Sequence, residues 1–434
     1  MTDRLYYHNS FLYDFVAALE EVRQVDGRTA LVLDRTAFYP TSGGQVFDTG
    51  WLELEVLEHN PGNNPTLSAE GANEGGAPEV DKRRAPRFAP KLRVSEVADA
   101  EDGTVLHFVE GEVPQGPVRV RGFLDVERRR DHMQQHSGQH ILSAAFVELF
   151  QMPTVSFHMG EESCTIDLEA KSLSAEDVAK AEMRANQVIL EDRTVGVHFV
   201  TAEKAREMGV RKIPPAERDE LRLIEVQGFD LCACGGTHVK ATGQVGSILC
   251  RKVEKVKQGF RVEFVCGIRA VRAARRDYET LVESGGLLST HVWEVPASIR
   301  KLVDGGKAAA KVQHKSLEEI AVLRAAQLLA GRDLNQVCVI AEVFTDRELA
   351  FVKLIAQKLT QTSGVVALLG AGAGQPTLIF AQSPGGEHDM GVLMKEAMAK
   401  LGGRGGGNKD MAQGGVSEAG KLQGAVDEAK ARIE

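Results

Sequence analysis

The chain has 434 residues, of which 43% are hydrophobic and 26% are charged, and its formal net charge is −9. This composition is typical of a soluble globular protein, and the length predicts two to four domains. Because no run of about 20 apolar residues and no signal-peptide pattern occurs, we expect a cytoplasmic protein that does not contact a membrane. The acidic balance argues against nonspecific nucleic-acid binding by the whole surface. Six cysteines spread over this length do not suggest a disulfide framework.

The N-terminal part of the sequence favours β-structure. Apolar and polar residues alternate within residues 4–58, with Gly and Pro breaks between the runs. This pattern predicts a small β-barrel or sandwich, which we assign to residues 1–110. Residues 60–92 are rich in Gly, Asn and Pro and hold few large apolar side chains, so we interpret them as a mobile surface loop.

Helical and strand patterns mix over residues 111–267, which predicts an α/β domain. The strongest helical candidate covers residues 126–150, where Ile141, Leu142, Ala145 and Phe146 share one side. Two further helices are predicted at about 175–192 and 202–208. Short strands are predicted at 221–226 and 247–253.

The remainder of the chain divides into a helical and an α/β part. Residues 268–332 are helical and charged, and we interpret them as an antiparallel helical arm or linker broken at Gly285-Gly286, Pro296 and Gly305-Gly306. Residues 333–434 alternate compact apolar runs with helices, which predicts a small α/β domain. A glycine-rich loop in this domain, residues 402–410, precedes a closing helix.

Four residues in two segments suggest a metal site. His136 and His140, in H-S-G-Q-H, stand at i and i+4 of the predicted helix, so both imidazoles leave the same face. Cys234 and His238, in C-G-G-T-H, flank a two-glycine turn that can bring a thiolate and an imidazole to one point. A donor set of three imidazoles and one thiolate suits tetrahedral Zn²⁺. The spacing is not that of a zinc finger, and the H-E-x-x-H of metalloproteases is absent from the sequence.

The residues leave the role of this metal open. Four protein ligands fit a closed structural zinc, whereas catalysis needs a position that water or substrate can take. His158 is a third histidine that could approach the metal, with an ordinary strand histidine as the alternative.

The motifs H-S-G-Q-H and C-G-G-T-H closely resemble the editing domains of alanyl-tRNA synthetases and the freestanding alanyl-tRNA editing proteins of the AlaX group. Residues 34–50, D-R-T-A-F-Y-P-T-S-G-G-Q-V-F-D-T-G, resemble the barrel motif of that family, and the terminal glycine-rich segment resembles the C-terminal domain of the synthetases. The resemblance implies an N-terminal β-barrel, a zinc-bearing editing domain and a C-terminal tRNA-binding domain of the DHHA1 kind.

This resemblance also implies a function. A synthetase carries an aminoacylation domain before the barrel motif, which here begins at Asp34, so we expect no aminoacylation. The expected activity is ATP-independent hydrolysis, in trans, of tRNA(Ala) mischarged with serine or glycine. A pocket built for a methyl group rejects a side chain with an added hydroxyl only weakly, so a second, hydrolytic site is useful.

Polar side chains near the motifs are candidates for reading the serine hydroxyl or for acting in catalysis. Thr41 and Ser42 of the barrel motif carry suitable hydroxyls. Synthetase versions usually have Thr where this chain has Gln139, which favours the freestanding class. The predicted catalytic set is Thr36, Gln45, Gln139 and His158.

We expect tRNA to contact local cations, because phosphate binding requires concentrated positive charge. The predicted contacts are Arg128, Arg129, Arg404 and Lys409. A homodimer could form through the helical arm or the C-terminal domain. One alternative function is a noncatalytic tRNA-binding or scaffold protein with a structural zinc. A DHH-type phosphoesterase is disfavoured because Asp131-His132 does not complete the D-H-H signature.

Overall fold

The computed structural model describes residues 1–56, 88–114, 118–210 and 220–434. These residues form two compact units, 1–280 and 281–434. Helices and strands occur in both units, and the predicted fold class, a mixed α and β protein with an N-terminal barrel and a C-terminal α/β domain, is confirmed. The boundary between the units lies inside the predicted helical arm, and the finer division at residues 267 and 332 stays a prediction.

The first unit begins with strands. In chain order they are β1 (Asp3–Arg4), β2 (Asp14–Val25), β3 (Arg28–Leu33), β4 (Arg35–Thr36), β5 (Gly50–Val56), β6 (Phe88–Asp99), β7 (Val105–Glu110) and β8 (Val118–Leu124). Six of them close an antiparallel barrel in the order β2-β3-β7-β6-β5-β8. The short strands β1 and β4 form a parallel pair of their own.

Strand β8 shows why these residues form a barrel. Val118, Val120 and Leu124 are buried, whereas the intervening Arg119 and Arg121 are exposed, which is the two-residue period of a strand with one face in a core. Since β8 closes the barrel, the predicted end of this domain at residue 110 is wrong. The Gly and Pro residues before β8 separate two strands rather than two domains.

Most of the predicted loop 60–92 lies outside the described part of the chain, which omits residues 57–87. Residues 88–92 belong to β6, so for these five positions the loop prediction is wrong. They pair with β5, and this pairing of main-chain groups outweighs a composition that is poor in large apolar side chains.

The rest of the first unit combines helices with two antiparallel sheets. The elements are α1 (Val126–Phe150), β9 (Thr154–Met159), β10 (Cys164–Leu168), α2 (Ala175–Leu190), β11 (Val195–Val200), α3 (Ala202–Glu207), β12 (Leu221–Val226), β13 (Asp230–Ala233), β14 (Ile248–Val256) and β15 (Gly259–Cys266). One sheet has the order β14-β15-β10-β9 and the other β11-β12-β13. Short 3-10 turns cover Leu5–Tyr7, Thr242–Val245 and, in the second unit, Val292–Glu294.

Helix α1 carries the histidine motif, and its predicted bounds, 126–150, are confirmed. The helix begins directly after β8, where the Asp125 side chain accepts a hydrogen bond from the Arg128 backbone N–H and so caps the first turn. Almost every residue between His132 and Phe146 is buried. A helix that is buried on all sides lies inside the unit, which places the histidine motif in the interior.

Two long helices follow β15: α4 (Gly267–Leu287) and α5 (Val295–Leu329). The predicted break at Gly305-Gly306 is wrong, because α5 runs through it. Glycine costs a helix roughly 1 kcal/mol but keeps its N–H donor, and Pro296 lies in the first turn, where no donor is needed. None of the helices in the described ranges is both long and apolar enough to span a bilayer.

The second unit has one sheet with helices against it. Its remaining elements are β16 (Cys338–Glu348), α6 (Leu349–Leu359), β17 (Val365–Ala373), β18 (Thr377–Gln382), α7 (Met390–Leu401), β19 (Arg404–Gly407), β20 (Met411–Gly415) and α8 (Lys421–Ala431). The order is β16-β17-β18-β20-β19, in which only β16 and β17 pair in parallel among the described strands. Ala321 and Ala325 of α5 join the core of this unit.

The predicted glycine-rich loop is a strand-turn-strand hairpin. Arg404–Gly407 pairs with Met411–Gly415 at the edge of the sheet, so only the segment between them is a turn. A Cβ on Gly405 would lie 2.6 Å from Gly414 Cα, and one on Gly414 would lie 2.5 Å from Met398 Sδ. Gly405 and Gly414 are therefore explained by the close approach of the two strands to each other and to α7, not by a need for loop flexibility.

Candidate metal centre and the adjoining cavity

The four side chains predicted as metal ligands lie together in the first unit. His136 and His140 project from α1, and Cys234 and His238 come from the turn that follows β13. Their ligand atoms all lie within 4.8 Å of one another. The three histidines are buried, and Cys234 is half-buried. Residues about a hundred positions apart in sequence thus form one compact donor set.

Close packing explains the glycines in both motifs. A Cβ at Gly236 would lie 2.1 Å from Cε1 of His136, so only glycine lets the C-G-G-T-H turn approach the helix. A Cβ at Gly138 would lie 2.2 Å from Sγ of Cys266 on β15. The glycine of H-S-G-Q-H therefore lets α1 approach the sheet from the side opposite the ligands.

Hydrogen bonds to Nδ1 fix the orientation of all three imidazoles. Nδ1 of His136 lies 2.7 Å from Oε1 of Gln45, and Nδ1 of His140 lies 3.4 Å from Oδ2 of Asp230. In His238, Nδ1 lies 3.1 Å from the Ser137 hydroxyl. Metal-binding histidines usually hold their second ring nitrogen in this way.

The opposite ring nitrogens converge on the thiol. Nε2 of His136 lies 3.4 Å from Sγ of Cys234, and Nε2 of His238 lies 3.3 Å from it. With Nδ1 engaged elsewhere, Nε2 is the atom left for a shared ligand. The residues present therefore fit a tetrahedral divalent metal with three nitrogen donors and one sulfur donor, a set that suits Zn²⁺.

The electrostatics of the cluster favour the thiolate. Burial opposes ionisation of Cys234, but the His136 and His238 imidazoles hold its pKa well below the ordinary value. Burial lowers the pKa of His238 to about 3, so its ring is neutral. Burial also disfavours the charged form of His140, yet hydrogen bonds to Asp230 and Cys234 raise its pKa to about 10. A metal requires a thiolate and neutral imidazoles, so binding at this donor set would displace the proton that His140 holds without a metal.

One side of the donor set opens into a cavity of about 520 Å³. Three of the ligands, His136, His140 and Cys234, form part of its wall. Polar side chains complete the wall beside them: Ser42 of the barrel motif, Gln139 and Thr154. A space of this size, with metal donors and hydroxyl or amide groups on its wall, can hold a small polar group at the end of a larger molecule.

Comparison with known proteins identifies relatives along the whole chain. Residues 221–262 match the family described as the threonyl and alanyl tRNA synthetase second additional domain, and residues 305–434 match the DHHA1 domain. The alanyl-tRNA editing protein AlaX-L of Pyrococcus horikoshii is 27% identical over 96% of this chain and 95% of its own length. The chain resembles the long alanyl-tRNA editing proteins.

Alanine–tRNA ligases are similar to the same residues. The ligase of Archaeoglobus fulgidus is 29% identical over 96% of this chain, and that of Natronomonas pharaonis is 30% identical over 99%. The chain spans less than half the length of these ligases, 42% and 43% respectively. The similarity therefore covers only part of each ligase but almost the full length of the editing protein.

The four residues predicted to act in catalysis lie in different surroundings. Gln139 is on the cavity wall, 7% exposed. Gln45 is fully buried behind His136 and contacts Thr237 as well, so it holds the site rather than facing a substrate. His158 is exposed on β9 and is not on the cavity wall, because the preceding residue, Phe157, is the one that faces His136.

Thr36 does not reach the cavity. Its hydroxyl lies 2.7 Å from Nε2 of His107 and accepts a hydrogen bond from the Phe38 backbone N–H. Thr36 and His107 are fully buried in the barrel. The prediction of a catalytic role for Thr36 is wrong in this structure, because both contacts of the hydroxyl belong to the barrel core.

The four predicted tRNA contacts also differ. Arg129 is fully buried, and its guanidinium donates to Asp48 at 3.1 Å and to the Ser10 carbonyl at 2.8 Å, so the prediction that it binds tRNA directly is wrong. Burial of an arginine requires a paired acid, and sequence gave no sign of Asp48 in that role. Arg128 is half-buried and donates to the Phe47 carbonyl. Both Arg404 and Lys409 are exposed on the second unit.

Sequence reasoning missed the residues that orient the ligands. Asp230, Ser137 and Gln45 each hold an imidazole nitrogen, and only Gln45 was singled out, for another role. Ser137 lies inside the H-S-G-Q-H motif, and Asp230 lies four residues before Cys234. Their closeness to the motifs was the available signal, because histidine ligands commonly need a partner at the second nitrogen.

Proposed function

We propose that this protein is a trans-editing deacylase, which hydrolyses the ester bond of tRNA(Ala) mischarged with serine. Gly-tRNA(Ala) is a second candidate substrate. We further propose that it acts in the cytoplasm and that it uses Zn²⁺.

One observation carries this proposal. Three of the four donors, His136, His140 and Cys234, form part of the wall of a polar cavity, in a chain that resembles an alanyl-tRNA editing protein over 96% of its length. A site that only stabilised the fold would not need an opening of about 520 Å³ beside its ligands. The aminoacyl group of a charged tRNA is a small polar group at the end of a large molecule, which matches this cavity.

The chemistry requires an attacking water, a polarised ester carbonyl and a fixed aminoacyl group. A bound zinc ion would supply Lewis acidity to the ester and fix the walls of the cavity. The chain itself contributes the groups that bind and orient the substrate. Gln139, Ser42 and Thr154 offer hydrogen bonds on the cavity wall, and Gln45 keeps His136 in position from behind.

The tRNA body requires contacts outside the cavity. Arg404 and Lys409 lie exposed at the hairpin of the second unit, and we propose that they bind phosphates together with Arg128 in the first unit. This proposal rests on the charge and exposure of these side chains, because exposed Arg and Lys side chains commonly contact phosphates. A homodimer through the helical arm or the C-terminal domain is part of the same proposal.

A noncatalytic tRNA-binding or scaffold protein with a structural zinc is the second candidate. The observation in its favour is the completeness of the donor set, because four protein ligands can close a tetrahedral site. The two candidates agree on zinc and on tRNA binding and differ only in turnover.

The test is deacylation of Ser-tRNA(Ala) and Ala-tRNA(Ala) by the purified chain, with metal content measured on the same sample. Selective release of serine by zinc-loaded protein is the expected result. Zinc-loaded protein that binds tRNA and releases neither amino acid would replace the deacylase with the scaffold.

A further inference from the structure

A chain of three polar side chains lies along the cavity wall next to the ligand helix. Gln139 Nε2 donates a hydrogen bond to the Ser143 hydroxyl oxygen at 2.8 Å, one turn further along α1. The Thr154 hydroxyl at the start of β9 donates to the same oxygen at 2.7 Å. Ser143 is fully buried, whereas Gln139 and Thr154 reach the cavity.

The two donors fix the role of Ser143. A hydroxyl oxygen accepts two hydrogen bonds, and here both are supplied, by an amide and by a second hydroxyl. In this arrangement the hydrogen of Ser143 points away from Gln139, and the glutamine presents its NH₂ end to Ser143. Its carbonyl oxygen is then the end left for the cavity. Within the described part of the chain, Oε1 of Gln139 forms no hydrogen bond.

We infer that Ser143 and Thr154 are positioning residues, which hold the carbonyl oxygen of Gln139 toward the cavity as the acceptor for the hydroxyl of a seryl group. This inference rests on the proposed deacylase function and makes it more specific. An acceptor without a donor of its own recognises a group that can donate a hydrogen bond, and a serine side chain provides one. Neither alanine nor glycine does, so seryl esters are the favoured substrate class.

The expected selectivity follows from the energetics of a buried acceptor. When an alanyl or glycyl group enters, Oε1 of the 7% exposed Gln139 loses access to water and gains no partner. Sites that hydrogen-bond a substrate hydroxyl discriminate strongly against analogues that lack it. Without the Ser143 hydroxyl the carboxamide turns freely. Without the Thr154 donor, the Ser143 hydrogen can turn toward Gln139 and attract its oxygen. In both cases the NH₂ end of Gln139 competes for the cavity side.

The experiment compares Thr154→Val with Thr154→Ser, because valine removes the hydroxyl at nearly constant volume and serine keeps it. A third variant, Ser143→Ala, removes the shared acceptor. For each, kcat/KM is measured with Ser-tRNA(Ala), Gly-tRNA(Ala) and Ala-tRNA(Ala), and zinc content and Tm are recorded. We expect Thr154→Val and Ser143→Ala to lose about fivefold or more in the seryl rate alone. Thr154→Ser should retain the wild-type preference.

The outcomes separate this inference from the function on which it rests. Suppose that the wild-type enzyme deacylates Ser-tRNA(Ala). If Thr154→Val and Ser143→Ala then lose activity equally with all three substrates, or keep the wild-type seryl-to-glycyl ratio, the chain of hydroxyls only supports the fold. A wild-type protein with no turnover of any of the three substrates would overturn the proposed function, and the inference with it.

Discussion

At the scale of single residues, Gln45 connects the barrel with the metal centre. Its Oε1 accepts from the Thr237 backbone N–H at 3.1 Å and contacts His136 Nδ1, while its Nε2 donates to the Thr237 hydroxyl at 2.9 Å. Both ends of one buried carboxamide are therefore engaged. Gln45 thus fixes His136 on the helix and the turn that bears Cys234 and His238.

Cys234 is the only sulfur among the four proposed ligands, and it is the first residue to test. We expect Cys234→Ala to lower zinc content and to abolish deacylation, because a tetrahedral site with three ligands binds zinc less tightly. Metal analysis and deacylation of Ser-tRNA(Ala) on one preparation measure both effects. Cys232→Ala is the matched control, since Cys232 lies two residues away and outside the donor set. Full activity in a metal-free Cys234 variant would exclude zinc from the mechanism.

Gln45 allows a test of the residues that hold the ligand imidazoles in position. We expect Gln45→Leu to weaken zinc binding by about 10- to 100-fold, because residues that orient metal ligands typically contribute that much. Competition with a chelator measures the affinity. Gln139→Leu serves as control, because Gln139 lies on the same cavity without contacting a ligand imidazole nitrogen. Equal affinity in the two variants would mean that His136 needs no support from the barrel.

Some residues of the site could be predicted from the sequence, and others could not. The four candidate ligands could be found because each pair lies within one short segment, where helical spacing or a glycine turn sets the geometry. The burial of Arg129 with Asp48 and of Thr36 with His107 depends on residues about 70 to 80 positions away. No local pattern encodes such contacts, so both side chains were assigned to the surface or the cavity instead.

At the scale of elements, strand β7 places an imidazole inside the barrel. His107 is fully buried, with its two ring nitrogens against Thr36 Oγ1 and the Leu31 carbonyl at 2.7 and 3.0 Å. Burial lowers the pKa of His107 to about 4, although the contact with Leu31 acts in the opposite direction. The barrel consequently holds this histidine in its neutral form.

This burial predicts a pH dependence of stability. The unfolded chain binds a proton at His107 below about pH 6.5, and the folded barrel does so only near pH 4. Between these values the unfolded state holds more protons, so the free energy of unfolding falls as pH falls. The full effect is about 3 kcal/mol. Denaturant unfolding of wild type and His107→Gln across pH 4–7 measures it.

The control for this measurement is His158→Gln, which changes an exposed histidine in the same unit. All three proteins share the metal centre, so its own pH dependence cancels in the comparison. We expect His107→Gln to be less stable at pH 7 but to lose less stability toward pH 4 than the other two. Parallel curves for all three proteins would mean that His107 contributes nothing to acid sensitivity.

Elements with a regular period were predictable, and elements set by packing were not. The alternation of β8 follows from the sequence itself. The hairpin Arg404–Gly415 does not, because Gly414 lies against the sulfur atoms of Met394 and Met398 on α7, and Gly405 lies against Gly414. A glycine-rich sequence ordinarily predicts a loop. Here the segment forms strands, and its glycines leave room for the neighbouring helix.

At the scale of the whole molecule, an acidic protein must bind a polyanion if the proposed function is correct. The net charge of −9 repels tRNA on average, so binding has to come from cations that are not already neutralised. Several cations of the second unit are paired, including Lys400 with Glu428 and Lys421 with Glu418. Within the described residues, Arg404 and Lys409 form no such ion pair.

We therefore expect the double variant Arg404→Ala/Lys409→Ala to weaken tRNA(Ala) binding and to leave zinc content unchanged. Each phosphate contact that is lost should reduce the slope of log affinity against log salt by about 1, so the double variant should lose about 2. Binding titrations at several salt concentrations measure affinity and slope together.

The matched control is Lys400→Ala/Lys421→Ala, which removes the same amount of positive charge from the same unit. Its cations neutralise neighbouring carboxylates, so losing them changes the total charge without removing a phosphate contact. If both double variants lose affinity equally, net charge alone governs binding. If only Arg404→Ala/Lys409→Ala changes the slope, the hairpin contacts the nucleic acid. Wild-type affinity and slope in that variant would exclude the hairpin from the interface and leave the first unit to bind the substrate.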